Sequence, residues 1–219
     1  MATTNPLESV EFATNPDPRC ACVLVLDTSA SMDGAPIDAL NVGLEAFQAD
    51  INDDPLAQRR VEVAIVTCGG GVDVAQAFVT ANQFAAPRLQ AAGHTPLGEA
   101  VVKAVSLIRD RKGQYKASGV PYYRPWIVVI TDGQPTDDWQ AAAQLVHDEE
   151  AQNGLAFFAV GVGGADMHVL GQMGVREPVK LDGLRFAELF VWLSQSQRRV
   201  SAAKPGEQTA LPPVGWAAV

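Results

Sequence analysis

Three oxygen-bearing side chains follow the first apolar run of the chain at alternate positions. In the stretch VLVLDTSASMDG the apolar run ends at Asp27, and Ser29 and Ser31 come two and four residues later. An acid at the end of a buried strand is costly unless something pairs with its charge. No Lys or Arg lies close to Asp27 in the sequence. A divalent cation would neutralise this carboxylate and accept the neighbouring hydroxyls as ligands.

A second acid and a further hydroxyl occur where the same cation could use them. The apolar run WIVVITDG leads into Asp132, and Thr95 precedes a predicted helix in GHTPLGEA. Together, the sequence predicts a divalent metal site formed by Asp27, Ser29, Ser31, Thr95 and Asp132. Mg²⁺ is the expected ion because these are hard oxygen ligands, with Mn²⁺ and Ca²⁺ as alternatives.

Each of these groups also has an ordinary structural interpretation. Asp27 and Ser29 could form a turn and an N-cap before the next helix. Thr95 could cap a helix that starts with proline, and Asp132 could open a turn. Their joint occurrence, with two acids at strand ends, favours the metal site over four unrelated caps and turns.

The elements that must position these residues alternate along the chain. Apolar runs predict strands over 20–27, 61–69, 71–81, 126–133, 155–163 and 178–181, and helical periodicity predicts helices over 36–51, 95–112, 137–153, 165–173 and 185–200. Three glycines at 69–71 predict a tight hairpin. The expected fold is therefore α/β, with a doubly wound, mostly parallel sheet, one antiparallel edge strand and helices on both faces. In such sheets ligands bind beyond the carboxyl ends of the strands.

The expected organisation is one domain with two polar ends. Residues 1–18 are polar with three prolines and are expected to form a flexible leader, and 19–200 form the domain. In the tail at 201–219, four apolar side chains could dock on the domain or on a partner: Leu211, Pro212, Pro213 and Trp216.

Composition excludes several classes of function. The net charge of −9 argues against a nucleic-acid groove, which needs clustered Lys and Arg. No window reaches the roughly 18 apolar residues of a membrane span, and no signal peptide is expected. Three cysteines (Cys20, Cys22 and Cys68) lie in or beside apolar strands, which predicts core thiols in a reducing compartment and a cytoplasmic protein.

The set of five residues resembles the metal-ion-dependent adhesion site of the von Willebrand factor type A domain. That site uses D-x-S-x-S, a later threonine and the aspartate of a T-D-G turn, all present here. The resemblance implies a Rossmann-like fold that binds a partner protein through the ion, which accepts a carboxylate of the partner. It also implies that the domain has no enzymatic activity.

His94 departs from the usual glycine before the threonine; it could donate to an acidic ligand or be a solvated loop residue. Asp33 and Asp137 could lie near the ion as outer acids.

The C-terminal part of the chain carries a narrower resemblance. FAELFVWLSQSQRRVS and LPPVGW are similar to the bacterial TerY-type proteins associated with tellurite resistance and stress. This similarity implies a partner among associated kinase or phosphatase components.

An enzyme remains the alternative class. An aspartate ending the first strand beside Mg²⁺ also begins phosphohydrolases of the haloacid-dehalogenase type, with Asp27 as nucleophile. These enzymes ordinarily have a second acid two residues later, and this chain has Ser29 there. A lysine to hold the phosphoryl group is also missing from the expected surroundings.

Overall fold

A six-stranded sheet forms the centre of the molecule. The computed structural model describes residues 12 and 14–218. The strands are β1 (Cys20–Asp27), β2 (Val61–Cys68), β3 (Val72–Thr80), β4 (Trp126–Thr131), β5 (Ala156–Gly161) and β6 (Val179–Lys180). Their spatial order is β3-β2-β1-β4-β5-β6. All neighbours are parallel except β2 and β3, which form the antiparallel hairpin at one edge.

Helices cover both faces of this sheet. They are α1 (Ala35–Asn52), α2 (Ala57–Arg60), α3 (Leu97–Ala117), α4 (Gln140–Ala151), α5 (Met167–Met173) and α6 (Phe186–Ala202). Side chains of α1 and α6 pack with Leu24 on one face, and those of α3 and α4 pack with Val23 on the other. The predicted doubly wound, mostly parallel architecture is confirmed. Among the described residues, no helix combines the length and apolar character needed to cross a membrane.

The strand order reverses between β1 and β4, the two central strands. β1 pairs with β2 on one side and with β4 on the other, and all eight of its residues are buried. A crevice therefore opens at the carboxyl ends of β1 and β4, where the chain leaves the sheet in opposite directions. Asp27 is the last residue of β1, and Asp132 directly follows β4.

Glycines allow two loops to interlock beside this crevice. Gly70 and Gly93 both have positive φ values, 72° and 71°. A Cβ atom at Gly93 would lie 2.3 Å from the Cα of Gly70, so only glycine permits this approach. The backbone N–H of Gly70 donates to the carbonyl of His94 at 2.8 Å. The glycine run thus closes the predicted hairpin and also holds the loop that carries Thr95.

Two helix boundaries differ from the prediction by three residues or more. α3 continues to Ala117 instead of ending at 112, because Tyr115 is buried and donates its hydroxyl to the buried carboxylate of Glu62. The polar sequence around Tyr115 gives no periodic signal of this burial. α4 begins at Gln140 and not at 137, since Asp137 turns toward another helix.

The chain ends lie against the domain where they are described. The leader predicted over 1–18 falls mainly outside the described residues; of its last part, Asn15 accepts a hydrogen bond from Arg19 through its carbonyl at 2.7 Å. In the C-terminal segment, Trp216 is 2% exposed, and its ring centroid lies 5.5 Å from that of Trp192. The carbonyl of Trp216 accepts from the N–H of Asp182 at 3.0 Å.

Candidate metal site

Asp27 stands at the base of the crevice and is held by two donors. Its side chain is fully buried. The backbone N–H of Ser29 donates to Oδ1 at 2.8 Å, and the hydroxyl of Thr131 donates to Oδ2 at 2.5 Å. The carboxylate is therefore fixed in orientation by a group from the loop after β1 and a group at the end of β4.

The charged form of Asp27 is disfavoured by its surroundings in the crevice. Burial raises the pKa of the carboxyl group above its ordinary value, and the nearby Asp132 raises it further. Hydrogen bonds from Thr131 and Ser29 lower this pKa and only partly offset the burial. Among the described residues, no Lys, Arg or His forms an ion pair with Asp27 or Asp132. The crevice therefore presents two acids that a bound cation would neutralise.

The two serines connect these acids through a chain of hydroxyls. Ser29 Oγ and Ser31 Oγ lie 2.9 Å apart, and Ser31 donates to Oδ1 of Asp132 at 2.7 Å. Ser29 is buried and Ser31 is exposed. The alternate spacing of D-x-S-x-S thus leads from the base of the crevice to its rim.

Thr95 enters the same crevice from the loop before α3. A Cβ atom at Gly133 would lie 3.3 Å from Thr95 Oγ1, 3.7 Å from Asp27 Oδ2 and 3.8 Å from Ser31 Oγ. Three oxygens therefore surround one small space beside Gly133: two from the end of β1 and its following loop, and one from the loop before α3. Thr95 is 4% exposed, and no hydrogen bond from the described residues reaches its hydroxyl. Its carbonyl accepts from the N–H of Thr136 at 2.9 Å, which ties its loop to the one after β4.

The helix-capping role considered for Thr95 belongs to Asp137. The carboxylate of Asp137 accepts from the N–H of Gly98 at 3.0 Å and from that of Glu99 at 2.8 Å. An acid at this position also complements the positive end of the helix dipole. Asp137 therefore caps the start of α3, and the hydroxyl of Thr95 remains available to a ligand.

The two other candidate polar residues stay apart from this cluster. His94 is exposed, and its imidazole makes no hydrogen bond with the described residues, as expected for a solvated loop residue. Asp33 is also exposed, and no hydrogen bond or ion pair joins its side chain to the five oxygen-bearing residues.

Sequence reasoning missed two residues that shape the site. Thr131 orients Asp27 and also accepts from the N–H of Gly133 at 3.2 Å. Gly133 leaves open the space that Thr95, Asp27 and Ser31 surround. The signal for both was in the sequence, since the triplet Thr131-Asp132-Gly133 flanks the predicted acid.

The donor set fits a hard divalent cation. It consists of two carboxylates and three hydroxyls, with no sulfur or imidazole. The described residues contain no cluster of three or more His, Cys, Asp or Glu side chains suited to a metal. A cation here would depend on the hydroxyls as much as on the acids, and oxygen-only ligation favours Mg²⁺, Mn²⁺ or Ca²⁺.

The fold and the crevice define a class, the α/β domains that gather polar side chains where the strand order reverses. The sequence model of the von Willebrand factor type A domain matches residues 22–182, and the chain belongs to this family. Such domains commonly serve as protein-interaction modules and often bind a divalent metal. A search of curated protein sequences gave no significant match.

Solved structures share the fold at low sequence identity. The pilus adhesin SpaC from Lactobacillus rhamnosus GG has a TM-score of 0.64 and 14% identity over 84% of this chain and 30% of its own. A von Willebrand factor type A protein from Catenulispora acidiphila has a TM-score of 0.60 and 16% identity over 83% of this chain and 43% of its own. Proximal thread matrix protein 1 from the mussel byssus, solved with a zinc-occupied MIDAS motif, has a TM-score of 0.57 and 14% identity over 84% and 49%. The chain spans less than half the length of these proteins.

Proposed function

We propose that this domain binds a partner protein through a divalent cation held by Asp27, Ser29, Ser31, Thr95 and Asp132. The convergence of Thr95, Asp27 and Ser31 around Gly133 supports this proposal most directly. Asp132, from a third loop, joins them through its hydrogen bond with Ser31, and the described residues supply no basic counter-ion.

The five residues have different roles in holding the cation. Asp27 supplies a buried negative charge whose orientation Thr131 fixes. Ser29, Ser31 and Thr95 supply neutral oxygens, so most of the ligands offered to the cation carry no charge. Asp132 stands at the half-exposed rim, where a partner approaches.

The five residues would hold the cation with a coordination position open for a carboxylate oxygen from an acidic residue of the partner. The surrounding loops supply the remaining contact area, and a stable interface buries about 1,200 Å² or more. Recognition is then metal-dependent, and no covalent chemistry follows.

Mg²⁺ is the ion that the donor chemistry favours. It prefers hard oxygen ligands and usually keeps some waters, which suits a five-residue site with a position left for a partner. Zn²⁺ prefers nitrogen and sulfur ligands, but the zinc-occupied motif of the mussel protein makes it a necessary comparison. Titrations should therefore include Mg²⁺, Mn²⁺, Ca²⁺ and Zn²⁺.

The site lacks two groups that the phosphohydrolase alternative would need, a general acid and a lysine. Ser29 stands where a general acid would be needed and makes its contact with Ser31. No lysine pairs with Asp27 among the described residues to neutralise a phosphoryl group. A generic aryl phosphate assay, with turnover lost in Asp27→Asn, would support that alternative.

We also propose a cytoplasmic role in a bacterial tellurite-resistance or stress-response system, with a kinase or phosphatase component as partner. This narrower assignment is supported by the resemblance of the C-terminal helix and tail to TerY-type proteins. A pulldown from the native bacterium with and without chelator tests it, since the partner should be retained only with metal.

Isothermal titration of the purified chain tests the metal site itself. We expect one divalent ion per chain for the wild type and loss of binding for Asp132→Asn. Asp138→Asn is the matched control, because Asp138 is a nearby exposed acid outside the crevice. Equal metal binding by the two variants would show that the crevice is not the site.

A further inference from the structure

A second candidate binding surface lies at the opposite end of the sheet from the metal site. A cleft of about 1070 Å³ opens at the amino-terminal ends of β4 and β5, where Trp126 and Ala156 begin these strands. β4 has six residues, and strands rise about 3.3 Å per residue, so the cleft lies about 20 Å from Asp132. The two surfaces do not share residues.

Positive charge is concentrated in this cleft. Lys112, Lys116, Arg124 and Arg176 line it, and Glu207 is the single acid among its described lining residues. The chain as a whole carries 25 acidic and 16 basic residues, so the cleft reverses the general sign of the surface. Lys116 is exposed, and its side chain makes no ion pair or hydrogen bond with the described residues. Its ammonium group is available to a ligand.

Glutamates behind the lining neutralise only part of this charge. The buried Glu150 pairs with Arg176 and lies 3.9 Å from Arg124, so one carboxylate serves two guanidinium groups. Burial lowers the pKa of Arg124, and the charge of Arg176 lowers it further against the effect of Glu150. Glu149 lies 3.9 Å from Lys112. A positive excess therefore remains at the cleft surface.

The cleft also has a rigid aromatic floor. The rings of Trp126 and Phe158 lie 4.7 Å apart between centroids, and the guanidinium of Arg176 lies 5.0 Å from the centre of the Phe158 ring. Arg124 donates to the carbonyl of Leu155 at 2.5 Å. Donors fixed in this way lose little freedom when a ligand binds.

We propose that this cleft binds an acidic peptide segment of a partner protein that carries an apolar side chain. Its volume is at the upper limit of about 300–1,000 Å³ that small-molecule sites occupy, which favours a longer occupant. The cations match carboxylates, and the aromatic floor suits an apolar side chain. The overall charge of −9 opposes a nucleic acid more than a short acidic segment, because the phosphates of a nucleic acid would extend beyond the basic cleft. This surface is independent of the metal site.

Binding of a fluorescein-labelled, glutamate-rich peptide with one central phenylalanine tests the proposal. The full-length protein is titrated in EDTA, so that no metal site can capture the carboxylates. We expect Lys116→Glu to weaken binding about fivefold or more, because an attraction is replaced by a repulsion. Lys103→Glu is the matched control: Lys103 is exposed on the same helix but does not line the cleft.

The outcomes separate the proposal from its competitors. Loss in Lys116→Glu with wild-type binding in Lys103→Glu supports it. Absent binding of the wild type at low salt, or equal weakening by both variants, overturns it. Tighter binding of a single-stranded oligonucleotide of equal length, also lost in Lys116→Glu, would replace the peptide by a nucleic acid. A metal site that fails its own titration leaves all these results unchanged.

Discussion

The hydroxyl of Thr131 donates to the carboxylate of Asp27 at 2.5 Å and so joins the ends of the two central strands. The same hydroxyl accepts from the N–H of Gly133 at 3.2 Å, which links Asp27 to the turn that carries Asp132. One buried side chain thereby sets the relative position of both acids.

Thr131→Val should weaken metal binding about 10–100-fold, the usual effect of losing a group that orients a ligand. The variant also leaves Asp27 without one donor, which should lower the free energy of unfolding by about 1–3 kcal/mol. Calorimetric titration with Mg²⁺ measures the first effect, and denaturant unfolding measures the second. Thr131→Ser should retain binding, and Thr67→Val at the end of β2 is the control. Unchanged affinity in Thr131→Val would contradict the positioning role.

Gly133→Ala places a methyl group in the space that the three oxygens surround. Because its Cβ would lie 3.3 Å from Thr95 Oγ1, we expect metal binding to fall sharply, with an overpacking cost of about 1–3 kcal/mol. Gly71→Ala is the matched control, since nothing lies within 4 Å of a Cβ atom there. If Gly133→Ala binds metal like Gly71→Ala, the ion is not held in this space.

The raised pKa of Asp27 predicts how metal-free stability depends on pH. A carboxyl group whose pKa is higher in the folded than in the unfolded state makes its full contribution to stability at pH values below its unfolded pKa, which is about 3.9. This contribution is lost as the pH rises through the folded pKa. In EDTA, wild-type stability relative to Asp27→Asn should therefore decline from acidic to neutral pH.

A bound metal ion should offset this loss of stability at neutral pH. Free Mg²⁺ at about 100 times its dissociation constant adds about 2.7 kcal/mol to stability. The gain should shrink in acid because protons compete for Asp27. Thermal unfolding with EDTA or Mg²⁺ at several pH values checks this, and an equal gain in Asp27→Asn would argue against the site.

The three thiols should be unreactive in the native state. Burial raises the pKa of Cys22 to about 12 and also raises those of Cys20 and Cys68. Because only the thiolate reacts, a disulfide reagent at about pH 8 should modify none of them until denaturant is added. Rapid modification of a thiol in the folded protein would show that the strand carrying it opens.

Trp216 should contribute strongly to stability. It is buried against Trp192, and its backbone pairs with Asp182. Trp216→Ala should lower the free energy of unfolding by about 3–5 kcal/mol, as for other buried aromatic residues. The difference between the fluorescence spectra of the wild type and Trp216→Phe gives the emission of Trp216. This emission should be that of an indole shielded from water. A difference spectrum typical of tryptophan in water would mean that the tail leaves the domain in solution.

The central elements were predictable because their signals are local. The uninterrupted apolar runs of β1 and β4 specify buried parallel strands, and the acids that follow them mark the crevice. The capping of α3 was not predictable, since Asp137 lies 39 residues away from Gly98 along the chain. The extension of α3 depends on a partner on β2, Glu62, that no periodicity reveals. Contacts between distant segments decided each of these differences.

The placement of the crevice between β1 and β4 has a mechanical consequence. A partner that pulls on Asp27 and Asp132 pulls along the axes of the two innermost strands, each of which is paired on both sides. The interstrand hydrogen bonds then all resist the sliding of one strand past its neighbours at the same time. They do not open one after another as they would at an edge. Tension along these strands is therefore shared by many backbone hydrogen bonds at once.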